Sequence, residues 1–486
     1  MSRIKRRDFL QLAVAGGALC TGCNGSGNLF SFGPAFVAPA TGMAPCLVSP
    51  GCRGSKVKVA KIYMANPKPM WPHPKLDVKA EVQKYEDYFA SAMKDELADV
   101  DFVCSETVTS AQQMAGIKNK LNDVDGILAI HASWTMWPIL QQILSVKRPT
   151  VLFAAPYSGH EWIRFGATQK AEEGALLECM LTSDFNQLAA AIRPFRAIHH
   201  LREAKILDVN ARGKIHPYHN QINKKYGTTY KIITRDRMLK AYDAISKDDA
   251  EAEANRWMAR AIKVVEPNKD EIIRSCRMGL AFKRLLDEEK ATVMTVDCYG
   301  TMFQKLPAFP CIGFAMMNNL GLGGICESDI PSAVTHIIFQ GLCGKPGFVN
   351  DPTMDVSNNS VILAHCLGSP KMDGPQGKAA PYKIRTIMER QQGAVIQAKM
   401  RIGQKVTTAE LVTPDKLLYS TGTIIDVPDI DRACRTKITV KVDGCAEKLW
   451  KNWSHGLHRT TCYGDLTKDL KRFSRYMGVN LINEAV

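Results

Sequence analysis

The sequence predicts an α/β fold: two Rossmann-like α/β domains followed by a C-terminal antiparallel β domain. Three observations predict it. From residue 57 to about 342, apolar strand-like runs alternate with helical stripes, the pattern of parallel sheets covered by helices on both faces. From residue 361 the chain changes to short alternating or β-branched runs separated by turns, which predicts antiparallel sheet. The 486 residues, 45% hydrophobic and 23% charged, have a globular balance and exceed what one small core organises.

The first α/β domain spans residues 56–175. Strands are expected at Val57 to Met64, Val100 to Cys104, Gly126 to Ala132 and Thr150 to Ala155. Helices are expected at Asp77 to Leu97, where Val82, Tyr85, Phe89 and Ala92 make one stripe, and at Ala111 to Leu121 and Trp137 to Val146. No Gly-x-Gly-x-x-Gly follows the first strand, so a dinucleotide site is not expected. The second domain spans 176–345. Its strands are Ala204 to Val209, Thr229 to Ile233 and Ala291 to Val296; its helices are Lys247 to Val265, Pro267 to Glu288 and Ile330 to Leu342. The third spans 346–486, with strands Val361 to Ala364, Ala394 to Met400, Val406 to Leu411, Leu417 to Val427 and Lys437 to Val442. Helix Leu466 to Met477 closes it.

Residues 1–23 are processing signal and not fold. Arg6-Arg7-Asp8-Phe9-Leu10 follows a basic head and precedes a short run rich in Ala and Gly, the pattern of a twin-arginine export signal. Gly22-Cys23 resembles a lipoprotein processing site, with Cys23 as the lipid-bearing residue; simple cleavage nearby is the alternative. Residues 24–55, rich in Gly, Pro, Ala and Ser, read as a tether. The expected location is therefore periplasmic or extracellular.

The chain carries a net charge of +15, and about +4 of it lies before residue 56. A basic mature protein favours anionic partners. Its Lys and Arg do not cluster with interleaved aromatics, so nucleic acid is not expected. No apolar run reaches the ~20 residues of a membrane-crossing helix. None of the fifteen cysteines forms Cys-x-x-Cys after Cys23, which excludes zinc-ribbon and thioredoxin-like motifs. Cys104, Cys326 and Cys366 sit in apolar runs and read as small buried hydrophobes.

Three clusters carry candidate chemistry. In Cys326-Glu327-Ser328-Asp329 two carboxylates lie two apart, so on an extended segment they point the same way. Such a pair can hold a divalent cation or act as acid and base; acids before a helix are also favoured by capping and the dipole. Asn350-Asp351-Pro352 precedes Ala364-His365-Cys366, where His365 ends an apolar strand as a ligand or a core histidine. His455 and His458, three apart beside Tyr463-Gly464, can face one metal site or lie on a surface loop. His160 and Trp162 follow Pro156 at a strand end, where α/β sheets place ligands. They are candidates to line a sugar pocket, or an ordinary loop.

Taken together these residues resemble the L-fucose/L-arabinose isomerase-like family, from about Thr292 to the C-terminus. The matching pieces are Cys326-Glu327-Ser328-Asp329 before a helix, Lys345-Pro346, Asp351-Pro352, His365-Cys366, and His458 with Tyr463-Gly464. The resemblance implies two α/β domains, a C-terminal β domain and a divalent metal, usually Mn2+, held by carboxylates and histidine. It also implies aldose–ketose isomerisation of a sugar through an enediol, and a homo-oligomer. By position, Asp329, His458 and His365 would be metal ligands, and Glu327 or Asp329 the catalytic base. Where fucose isomerases carry a glutamate beyond the strand ending at Val296, the alignment places Thr301. A glycoside hydrolase or lyase on the same scaffold, or a non-catalytic sugar-binding protein, are the alternatives.

Overall fold

The computed structural model describes residues 47–91 and 96–486. The expected export signal, Cys23 and most of the tether lie outside them. The tether's last residues, 47–55, differ from expectation, because apolar and charged side chains there find partners. Leu47 and Cys52 are buried, and Ser49 Oγ lies 2.8 Å from His200 Nε2. Arg53 donates to the Asp287 carboxylate and to the carbonyls of Leu286 and Ala291.

The first sheet is fully parallel. Its strands are β1 (Val57–Met64), β2 (Val100–Val108), β3 (Gly126–His131), β4 (Thr150–Ala154) and β5 (Leu177–Leu181), in the order β2-β1-β3-β4-β5. Both faces are covered, as its uninterrupted apolar runs require.

The second sheet, also parallel, contains β6 (Lys205–Val209), β7 (Thr229–Ile233), β9 (Val293–Val296) and β10 (Gly323–Cys326), in the order β10-β9-β6-β7. The helix expected through Val265 stops at Arg260. Lys263–Val264 becomes a short strand, β8, which pairs in parallel with β13 (Tyr382–Arg385), itself antiparallel to β14 (Val395–Ala398).

The remaining strands are β11 (Phe348–Asp355), β12 (Ser360–His365), β15 (Lys405–Thr413), β16 (Lys416–Asp426), β17 (Thr436–Val442), β18 (Arg459–Tyr463) and β19 (Asn480–Asn483). They run β15-β18-β11-β12-β17-β16-β19, and a further β15–β16 pairing closes the first six into a barrel-like antiparallel ring. Phe348, Leu363, Val406, Ile424, Ile438 and Tyr463 share its core cluster. Strand β11 was unexpected, because Asn-Asp-Pro signals a turn. It is tolerated because β18 pairs only with residues 348–350. Pro352 lies beyond the last of those pairs, where a missing N–H is least costly.

Five helices matter for the site: α1 (Gln187–Glu203), α2 (Lys269–Glu288), α3 (Cys311–Asn319), α4 (Ile330–Cys343) and α5 (Thr467–Met477). Helix α4 is almost wholly buried. It shares one apolar cluster with α1, β6, β9 and the barrel strands β15, β16 and β18, so the second sheet and the barrel are packed through it. Helix α3 closes directly onto β10. A Cβ on Gly324 would lie 2.4 Å from the Phe314 backbone, so only glycine allows that approach.

Candidate functional site: a carboxylate–histidine cluster

The carboxyl ends of β6, β9 and β10 lie side by side, the edge where parallel sheets bind ligands. Each supplies an acid. Asp208, on β6, accepts from Tyr230 Oη at 2.6 Å, from Asn210 Nδ2 at 2.6 Å, and from Ser328 Oγ. Asp297, just past β9, takes both Arg212 guanidinium nitrogens, at 2.7 and 3.1 Å, and both the N–H and hydroxyl of Thr301 at 2.8 Å. Burial opposes ionisation there, but the Arg212 and Thr301 hydrogen bonds hold Asp297 below the usual carboxylate range. It is a saturated structural anion.

Glu327 follows β10 directly. Its φ is +61° and that of Ser328 is +52°, left-handed positions that non-glycine residues occupy at a cost of about 1–2 kcal/mol. The segment is therefore not extended, and Glu327 and Asp329 do not point the same way. They reach the same histidine from opposite sides. Asp329 caps α4, its Oδ1 accepting from Ser332 N at 3.1 Å, and its Oδ2 lies 2.8 Å from His458 Nδ1. Glu327 Oε2 stands 3.9 Å from His458 Nε2, and its Oε1 stands 3.9 Å from His365 Nε2.

The barrel supplies the rest. His458 precedes β18, His365 ends β12, and Asp351 lies on β11 one step past the Asn350↔Arg459 pair. Asp351 Oδ1 is 3.3 Å from His458 Nε2. Asp351, His365 and His458 each bring a ligand atom within 4.8 Å of the others. Three of their atoms, Asp351 Oδ1, His365 Nε2 and His458 Nε2, are buried with no hydrogen-bond partner among the described residues. Buried polar atoms are almost always paired. Asp351 Oδ1 and His458 Nε2, left unpaired beside each other, are what a cation site leaves behind, and the donor set of carboxylate oxygen and imidazole nitrogen fits a divalent ion.

The electrostatics agree. Burial raises Glu327 above the ordinary carboxylate value, and the Asp351 and Asp329 charges add to it while His458 opposes. Burial alone would lower His458, but Asp329 and Asp351 hold it at about 10. The same carboxylates that hold this proton would attract a divalent cation to Nε2. Burial and the facing His458 lower His365 to about 4, so its ring is neutral. The Cys366 amide donates to His365 Nδ1 at 2.9 Å, which leaves the ring proton on Nε2.

The structure thus brings together Glu327, Asp329, His365 and His458 from three separate parts of the chain. It adds Asp351, hidden in a turn-like Asn-Asp-Pro, and Asp208, one acid in an apolar strand with no local signal. Thr301 is occupied by Asp297 and by the Ala211 amide; the strand-end carboxylate of the cluster is Glu327. His455 is exposed, and its carbonyl accepts from Arg459. His160 and Trp162 sit at the end of the first sheet. His160 packs 4.1 Å from Trp71 and 6.2 Å from Trp162 between ring centroids, an aromatic group distinct from the cluster.

No family model matches the chain. It is similar to a sulfoquinovose isomerase of Alkalicoccus urumqiensis, 20% identical over 301 residues, covering 59% of this chain and 67% of that protein. It is also similar to sulfoquinovose isomerases of Clostridium sp. (strain MSTE9), 26% identical over 50% of this chain and 56% of the relative, and of Priestia aryabhattai, 22% identical over 44% and 48%. For the latter two, the match spans about half the relative's length.

Proposed function

We propose that the protein is a divalent-metal-dependent aldose–ketose isomerase acting on an open-chain sugar. The observation that carries this is the meeting of two buried atoms without hydrogen-bond partners among the described residues, Asp351 Oδ1 and His458 Nε2, beside the strained strand-end Glu327. Asp351 Oδ1 and His458 Nε2 would hold the divalent cation, and carboxylate and imidazole donors suit Mn2+ and other divalent ions alike. When bound, such a cation polarises a carbonyl and acidifies an adjacent hydroxyl.

The protein's own residues carry the proton. Asp329 accepts from His458 Nδ1 and so fixes the tautomer that frees Nε2. His365, with its proton on Nε2, faces the cluster as a donor to a sugar oxygen. Glu327 takes a proton from C2 of the aldose and returns it to C1 of the enediol, while O1 gains a proton and O2 loses one, so that the carbonyl moves from C1 to C2. The reverse order converts ketose to aldose.

The test is the metal-loaded mature chain with a panel of aldoses headed by sulfoquinovose, followed by NMR in D2O. Ketose formation with deuterium entering at C1 is expected. Glu327→Gln should slow it about 10²–10⁴-fold. A metal-loaded protein that converts none of the panel and exchanges no deuterium would sink the reading.

We also place the protein outside the cytoplasmic membrane, on the strength of Arg6-Arg7-Asp8-Phe9-Leu10. Fractionation of cells carrying Arg6→Lys with Arg7→Lys tests this. The precursor should accumulate in the cytoplasm, and undiminished export would refute it.

A further inference from the structure

Behind the cluster lies a second group of metal-ligating side chains of different chemistry. Cys366 follows His365 at the end of β12, Cys434 lies just ahead of β17, and Glu389 stands on the turn joining β13 to β14. The two sulfurs are 3.6 Å apart, and Cys434 Sγ lies 3.2 Å from Glu389 Oε1. One ligand atom from each of the three falls within 4.8 Å of the others. Cys311, the first residue of α3, belongs to the same buried cluster as Cys366, with Cys434 packed against it. All three cysteines are free thiols.

The spacing excludes a disulfide and leaves room for a metal. A disulfide needs sulfurs about 2.05 Å apart. Two thiolates on a tetrahedral zinc, each about 2.3 Å from the metal, stand about 3.8 Å apart. The observed 3.6 Å, a thiol–thiol contact, is close enough to the second for an ion to enter with little movement of either side chain. We propose that Cys366, Cys434 and Glu389, with Cys311 packed beside them, bind a thiophilic divalent cation such as Zn2+. Each cysteine that ligates gives its S–H proton to water, and no oxidant is needed. The soft sulfur donors separate this site from the oxygen and nitrogen donors of the catalytic cluster, so the two would take different metals. Glu389 is exposed and Cys434 partly so, which gives the ion a route in. Binding would tie the 386–394 turn and the segment before β17 to the end of β12. It would thereby fix the backbone that carries His365.

The test uses the full mature chain, reduced, stripped with chelator and titrated with Co2+ alone. A thiolate-to-cobalt charge-transfer band in the near ultraviolet is expected, which Zn2+ should bleach. The band should persist in His458→Ala and vanish in Cys434→Ser. Because Cys434→Ser can disturb packing, Glu389→Gln at the exposed position provides a second reading: it should weaken Zn2+ binding at least about tenfold. No thiolate band in the wild type, an unchanged band in Cys434→Ser, or unchanged Zn2+ affinity in Glu389→Gln would each overturn the proposal. So would peptide mapping that recovers Cys366 and Cys434 as a disulfide.

Discussion

His458 has a different task at each ring nitrogen, and the two can be separated by mutation. Asp329 engages Nδ1 while Nε2 faces Asp351 and Glu327. Asp329→Asn should therefore weaken metal binding about 10–100-fold without abolishing it, whereas loss of the His458 ring should abolish it. Metal titration monitored by elemental analysis separates the two outcomes. The metal-free protein should also show a pH signature. His458 is held at about 10, above its ordinary value of 6.5. Its contribution to stability is fully present below pH 6.5 and is lost as pH rises through 10. The stability gap between wild type and His458→Gln, read by urea unfolding of the metal-free forms, should shrink over that window. At this scale much was legible: Glu327, Asp329, His365 and His458 all stood out by residue type and spacing. What spacing could not supply was their division of labour. Two positive φ values turn a pair of parallel carboxylates into ones that grip opposite sides of a ring.

Elements decide whether that ring meets its partners. Strand β10 delivers Glu327 only because α3 lies flat against it at Gly324. Gly324→Ala should cost about 1–3 kcal/mol through overpacking, visible as a lower urea midpoint, and should reduce metal occupancy in the same protein. Most strands and helices were readable from periodicity. The misreadings share a cause, namely that a distant partner overrode the local signal. Lys263–Val264 becomes a strand because β13 pairs with it from over a hundred residues away. Strand β11 survives Pro352 because β12 and β18 flank it. Helix α1 was not anticipated. Pro194 and a run of His and Arg interrupt its stripe, but its sides are buried against other elements, so no single face shows.

At the scale of the whole molecule, the site unites a parallel sheet with a barrel. The α/β, α/β, β order was legible, but ring closure was not, since β15-β18-β11-β12-β17-β16 is far from chain order. The barrel's grip on the site ends in a buried pair. Arg459 is fully buried and takes both Glu484 oxygens, at 3.0 and 2.8 Å, while it also donates to the His455 and His458 carbonyls. Glu484→Gln leaves that guanidinium without its counter-charge, which should cost about 3–5 kcal/mol. Urea unfolding would measure this, and elemental analysis should show reduced metal content.

That pair also sets a clock on biosynthesis. Glu327 and Asp351 are made before His458, and the backbone that presents His458 is gripped through Glu484, made later still. A nascent polypeptide that has reached His458 but not Glu484 lacks the clasp that steadies that histidine, and product cut short between the two would be poor at retaining metal.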